Sequence, residues 1–282
     1  MEYVEFFDSL QSFSETINSR PTNKPFKDYY KDDLKLVSMR ETDSIVAFSG
    51  TKSYAEADRL LREGDYENLN KLKAVNLQGT PKQNSEYKTQ VRKSVCGSLP
   101  NVPLYLRGVP ACMLDFRRTK VPGRTVNLII NIAFDYNVSV EDIVKTGAII
   151  ASAIKEIEGK GIRINLYALY SSAYLKDSII GVVNLKRAES PLNMLNIAYP
   201  LINPSFLRRT AFRFTETVPV KKLPSSIVRR YGDVRTIKNI FNNTSDKRLQ
   251  SFKDSIQLDL GELCQLTEEE IISSINSQLK KR

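Results

Sequence analysis

The feature that most constrains this chain is a pair of β-branched runs flanking one long helical pattern. Arg124 to Phe134 reads Arg-Thr-Val-Asn-Leu-Ile-Ile-Asn-Ile-Ala-Phe, rich in residues that suit a pleated, buried strand. Ser139 can cap a helix over Val140 to Glu158, which carries Ile143, Ile150, Ile154 and Ile157 and stops at Gly159. A second strand follows from Ile162 to Tyr170. Strand, helix of about five turns and strand make a βαβ crossover, so the two strands should be parallel and the connection right-handed. The pattern predicts an α/β fold with a partly parallel sheet and helical additions at both ends.

Other elements follow from local signals. Val4, Phe7, Leu10, Phe13 and Ile17 recur at three- to four-residue steps, predicting an opening amphipathic helix that Pro21 and Pro25 end. Ser44 to Phe48 reads as a short strand with its turn at Ser49 to Lys52, and Ser53 with Glu56 forms a capping box for a helix reaching Arg62 or Glu63 before Gly64. Asn76 to Tyr87 is polar and reads as a loop. Val91 to Met113 holds Gly97, Pro100, Pro103, Gly108 and Pro110, predicting a turn-rich connection without regular elements. Ile179 to Leu185 predicts a third strand of the core. Ser190-Pro191 opens a short helix broken at Pro200, another runs from Phe206 towards Thr215, and Thr267 with Glu270 caps a last one along Ile271, Ile275 and Leu279. The expected organisation is a mostly helical region over 1–75, a basic Pro/Gly-rich connection over 76–125, and an α/β core with a terminal helix over 126–282.

Composition narrows the function. The 282 residues include no histidine, which removes the usual general base near neutral pH, the Ser-His and Cys-His nucleophile systems and most zinc sites. No GxxxxGK[ST] or GxGxxG occurs, so the expectation is a non-enzymatic protein without a cofactor or a metal site. Three cysteines, Cys96, Cys112 and Cys264, form no CxxC pair and fit a reducing compartment. With no basic leader and no apolar run near the length of a membrane span, the expected location is the cytoplasm.

The net charge of +10 points to an acidic partner, and it is unevenly placed. Residues 1 to 67 hold 14 acidic and 9 basic side chains, a net of −5. Glu86 to Arg124 has a net of +6, with Arg117 and Arg118 among its cations, and Ser205 to Lys238 a net of +7. In the second window Arg208, Arg209 and Arg213 are interleaved with Phe206, Phe212 and Phe214, and Lys221, Lys222, Arg229 and Arg230 follow. Guanidinium groups contact phosphates and an exposed ring stacks on a base, so this mixture suits single-stranded nucleic acid. Those nine cations are the candidate contact residues. A solvated helix face with phenylalanines in the core is the plainer account of the same pattern. The turn Ser49-Gly50-Thr51-Lys52-Ser53 before a helix is a weaker candidate for an anion site.

The unit from Val126 to Tyr170 resembles the opening of a von Willebrand factor A-type domain, a doubly wound fold in which strand, ligand loop, long helix and strand follow in order. That family's magnesium motif, Asp-x-Ser-x-Ser, would fall on Asn131, Ala133 and Asp135, of which only Asp135 keeps an anionic ligand. The order of the Ser49 to Tyr54 stretch, the Gly97 to Met113 segment and Leu192 to Arg209 is similar to a family of phage-encoded proteins of mostly unassigned function. Some short-tailed phages encode single-stranded-DNA-binding activators that recruit a phage RNA polymerase. These resemblances imply a nucleic-acid-binding accessory protein in transcription or replication, with single-stranded DNA and a phage polymerase or ATPase as partners. The alternative they imply is a von Willebrand A-like adaptor that holds another protein.

Overall fold

The computed structural model describes residues 1–41, 46, 48–69, 87–120 and 124–280, with the side chains of 87–90 and 118–120 outside the described set. Along the chain run β1 (Glu2–Phe7), α1 (Leu10–Ser19), α2 (Lys24–Tyr30), α3 (Tyr54–Glu63), β2 (Tyr87–Ser94), β3 (Leu99–Pro100), α4 (Val102–Leu106) and β4 (Met113–Lys120). There follow β5 (Thr125–Asn131), α5 (Val140–Gly159), β6 (Arg163–Tyr174), β7 (Asp177–Lys186), α6 (Met194–Ile202), α7 (Phe212–Thr217), α8 (Ser225–Arg230), α9 (Ile237–Asn243), β8 (Ile256–Asp259) and α10 (Glu268–Lys280).

The protein is an α/β structure around a mixed, mostly parallel sheet ordered β1-β7-β6-β5-β8. β5 and β6 are parallel with Leu128 opposite Leu166, and α5 connects them, as the crossover pattern requires. β6 turns directly into β7, an antiparallel pair, while β1 and β8 close the two edges as parallel neighbours of β7 and β5. Alternate side chains sort to opposite faces. Val126, Leu128 and Ile130 join a large core with α1, α3, α5, α6 and α10, and Ile129, Leu169, Ile180 and Val182 join a smaller one with Ile237, Ile240 and Phe241 of α9. Both faces are thus dry, which is why these strands read as almost continuous apolar runs. Gly147 lets α5 and α6 approach closely, since a Cβ there would lie 2.3 Å from the Leu201 carbonyl oxygen.

The opening segment departs from the expected helix. Glu2 to Phe7 is a strand whose Tyr3 and Phe7 pack into the larger core and whose Val4 and Phe6 pack against the smaller one, an alternation with period 2. The helix starts only at Leu10, where the Ser9 hydroxyl accepts from the Ser12 amide at 3.1 Å and the Ser12 hydroxyl accepts from the Ser9 amide at 3.2 Å. Of the strand expected over Ser44 to Phe48, Ser44, Ile45 and Ala47 lie outside the described residues, and Val46 and Phe48 are helical. The loop expected over Asn76 to Tyr87 lies outside them up to residue 86. Ser53 caps α3 as expected, accepting from Glu56 at 3.1 Å, and Gly64 ends it at φ +90°. The helix expected at Ser190 starts instead at Met194 under an Asn193 cap, and it continues through Pro200.

The largest difference lies in the expected connection. Residues 87–120 form a second sheet, ordered β2-β4-β3, in which β2 and β3 lie on opposite sides of β4. Val95 to Ser98 carries the chain across β4, and Gly97 passes so close that a Cβ would sit 2.4 Å from the Leu114 carbonyl oxygen. The glycine and prolines that suggested turns are the crossing and cap residues of this sheet. Among the described residues no helix is long and apolar enough to cross a membrane.

Candidate functional site

The sequence candidates divide sharply by burial. Arg208, Arg209 and Arg213 are buried, so none of them is open to a phosphate in solution, and Phe206 and Phe214 beside them are core residues. A π-helical turn over Phe206–Ala211 leading into α7 turns all three arginines inward. The reason lies in residues 38–40 and 48–51, whose carbonyls need donors once buried. A guanidinium carries five donors, enough to satisfy several such groups. Arg209 gives its Nη1 to the carbonyls of Ser38 at 2.9 Å and Arg40 at 3.0 Å, and its Nη2 to that of Thr51 at 2.8 Å. Arg208 donates to the Phe48 carbonyl at 2.5 Å and lies 4.1 Å from the centre of the Phe48 ring and 4.9 Å from that of Phe134. Burial pulls its guanidinium down to about 10, which leaves it charged at neutral pH. Arg213 donates to Thr22 at 3.0 Å and faces the Glu216 carboxylate at 3.4 Å.

Glu216 is fully buried at the centre of this network. It accepts from Ser38 Oγ and from the Tyr231 hydroxyl, each at 2.5 Å. Burial pushes its carboxyl up from the usual range, against the pull of the Ser38 and Tyr231 hydrogen bonds and of Arg213. The three arginines and Glu216 therefore fasten the N-terminal segment to the sheet layer. The Ser49 to Ser53 turn is part of that fastening, and the neighbouring cleft is lined by Glu56, Glu63, Asp65 and Glu67, a lining that repels anions.

Lys221, Lys222, Arg229 and Arg230 are exposed. α8 packs on α2 through Phe26, Val228 and Tyr231, and Asn23 donates to the Val218 and Val220 carbonyls at 2.5 and 2.6 Å. These contacts set α8 against α2, whose exposed residues include Lys24, Lys27 and Asp28, and the Arg229 guanidinium lies 5.1 Å from the centre of the exposed Tyr29 ring. Here an arginine and an aromatic do share a surface.

The other exposed surface is the second sheet. No residue from Val91 to Arg117 is buried, and none belongs to a core cluster. The strands pack on one another, and among the described residues no element of the α/β body packs broadly against them. The eight residues of β2 and of β4 give an arm about 27 Å long. Its cations Arg92, Lys93, Arg107 and Arg117 are exposed, and so are Val91, Leu99, Tyr105, Leu106 and Phe116. Burial of such a side chain is worth about 1.5–3 kcal/mol, so this group of exposed apolar side chains is a candidate interaction surface. Between Tyr87 and Lys120 there are seven basic residues and one acid, Asp115, whose carboxylate accepts from Arg117 Nε at 2.8 Å. Arg118 stands opposite Thr89 in the pairing, and its side chain lies outside the described residues. Arg92 and Lys93 belong to the Glu86 to Arg124 basic window but not to the nine candidates, and Phe116 comes beside them only through the β2–β4 pairing, which the turn-rich reading of the segment did not contain.

The positions matching the von Willebrand magnesium motif do not converge. Asn131 is buried, donating to the Arg235 carbonyl at 2.7 Å and to Asp259 at 2.8 Å, Ala133 is buried, and Asp135 is exposed with its carboxylate accepting from Asn137 at 3.1 Å. Among the described residues no three His, Cys, Asp or Glu side chains gather to hold a metal ion.

The sequence model of a family described as Domain of unknown function (DUF7192) matches residues 1–256. The chain belongs to that family. The matched span includes the arm, the buried arginines and the α2–α8 surface, and it ends at the first residue of β8, before α10. No curated protein and no solved structure matches the chain.

Proposed function

We propose that the protein is a nucleic-acid-binding accessory factor without catalytic activity, and that the β-arm is its principal contact. The observation that carries this reading is a sheet with no buried residue from Val91 to Arg117 that exposes cations on both faces, Lys93 on the face of Val91 and Phe116 and Arg92 with Arg117 on the other. Cations on such a surface neutralise phosphates and release counterions, while the apolar side chains reach base surfaces. The α2–α8 surface, with Arg229 over Tyr29 and the exposed Lys221, Lys222 and Arg230, is the second contact in this reading. Single-stranded DNA was favoured by the Arg208 to Phe214 interleaving; with those residues in the core, the choice of strand rests on the arm.

Fluorescence anisotropy with single-stranded and duplex oligonucleotides across a salt series tests the proposal. Tight binding at low salt, weakening steeply as salt rises, supports it. Absence of binding at low salt, or a salt slope near zero, ends it. The second reading, an adaptor with a von Willebrand A-like core that holds a polymerase or an ATPase, is favoured by the strand, loop, long helix and strand of β5 to β6 and by the exposed Leu106. Retention of one protein partner after nuclease treatment, together with no oligonucleotide binding, selects it.

A further inference from the structure

We propose that the far end of the β-arm is an apolar wedge that enters between base steps of duplex DNA and bends it, an inference that rests on the nucleic-acid reading above. The pairing fixes which end is far. Tyr87 pairs with Lys120 where the arm leaves the rest of the chain, and Ser94 pairs with Met113 at the opposite end, so α4 and the turn after it lie beyond the strands. There Val102, Tyr105, Leu106 and Val109 are exposed, Tyr105 at 68% and Leu106 at 78%. Pro103 and Pro110 flank them and fix the backbone before any partner arrives.

Beyond the Ser94–Met113 pair the arm offers one cation, Arg107, against four exposed apolar side chains. Arg92 and Lys93 stand within two residues of that pair, and Arg117 lies further back opposite Gln90. A β-ribbon can lie along a groove of the duplex, and cations along it reach the phosphates at the groove's rim. Apart from Arg107 and the Tyr105 hydroxyl, the exposed side chains from Val102 to Pro110 are apolar and have little to offer a phosphate or a hydrated base edge. On a duplex the end finds an apolar environment only between base pairs, where inserted leucine, phenylalanine or proline side chains unstack a step and kink the helix. The most exposed of these side chains, Leu106, has no π face to stack on a splayed base, which favours a wedge over a single-strand stacking platform.

A short duplex with a dye pair at its ends reports both binding and bending. The wild-type protein is expected to raise energy transfer as it binds. The Tyr105→Ala, Leu106→Ala double variant should bind with little loss of affinity but lose that rise, and Arg92→Ser with Arg117→Ser should lower affinity itself. The tip side chains are exposed, so the double variant keeps the fold, which its circular dichroism verifies. Duplex binding without any rise in transfer overturns the wedge and leaves the nucleic-acid reading standing. Binding restricted to single strands or to an acidic protein overturns it as well, and failure to bind any nucleic acid at low salt removes both.

Discussion

Val91 and Phe116 face each other across the β2–β4 pair and both remain open to solvent, at 54% and 39%. A cross-strand aromatic and β-branched pair contributes about 0.2–1 kcal/mol to a sheet, and neither residue touches the main cores. Phe116→Ala is therefore expected to change global stability by less than about 1 kcal/mol while weakening oligonucleotide affinity. Urea denaturation and anisotropy on the same preparation separate the two effects. Unchanged affinity would remove Phe116 from the interface.

The arm's cations should appear in the salt dependence. Replacing Arg92 or Arg117 by Ser is expected to reduce the slope of log affinity against log salt by about 1 per lost phosphate contact, for all oligonucleotide sequences alike. Arg117 also holds Asp115, so its replacement leaves that carboxylate facing the phosphates and should cost more affinity than Arg92→Ser.

Arg209 belongs to the fold. Arg209→Met removes the donors to the Ser38, Arg40 and Thr51 carbonyls and is expected to destabilise the protein by about 3 kcal/mol or more, because each orphaned buried group costs about 1–3 kcal/mol. The urea midpoint measures this. The fraction that remains folded should bind oligonucleotides normally. Lost affinity with an unchanged midpoint would return Arg209 to the binding surface.

Glu216 gives the protein a pH dependence with a definite sign. Its carboxyl is raised by burial in the folded state, so the folded protein holds a proton that the unfolded chain releases near the ordinary value of 4.5. The resulting stability is fully present below that value and is lost as pH rises through the raised folded value. Glu216→Gln, which keeps the shape, accepts from one of the two hydroxyls at Oε1 and donates to the other from Nε2, should flatten this part of the stability profile. Denaturation midpoints across the pH range check it; a variant that keeps the wild-type slope assigns the dependence to another group.

Much of the core was legible in the sequence. Ser139, the isoleucines of α5 and Gly159 gave the crossover helix, and the runs around Leu128 and Leu166 gave its two strands, because burial on both faces leaves little room for polar residues. The candidate site was far less legible. Arg208, Arg209 and Arg213 carry the same charge whether they meet phosphates or buried groups, and only the positions of Thr22 and of the Ser38, Arg40, Phe48 and Thr51 carbonyls decide between the two. The opening strand misled for a related reason: Val4, Phe7 and Leu10 satisfy a helical period, and the competing alternation of Tyr3, Val4, Phe6 and Phe7 wins because β7 offers an open edge. In the arm, Gly97, Pro100 and Pro110 signal turns, and the pairing of Val91 with Phe116 is set by contacts far apart in sequence.

Hydrogen exchange with and without bound oligonucleotide tests the central claim most directly, since the arm's strand amides lack the cover of a buried core. The account predicts new protection concentrated in residues 87–120, with a smaller effect around α2 and α8. Protection confined to the α/β body, with residues 87–120 exchanging as freely as before, would contradict it.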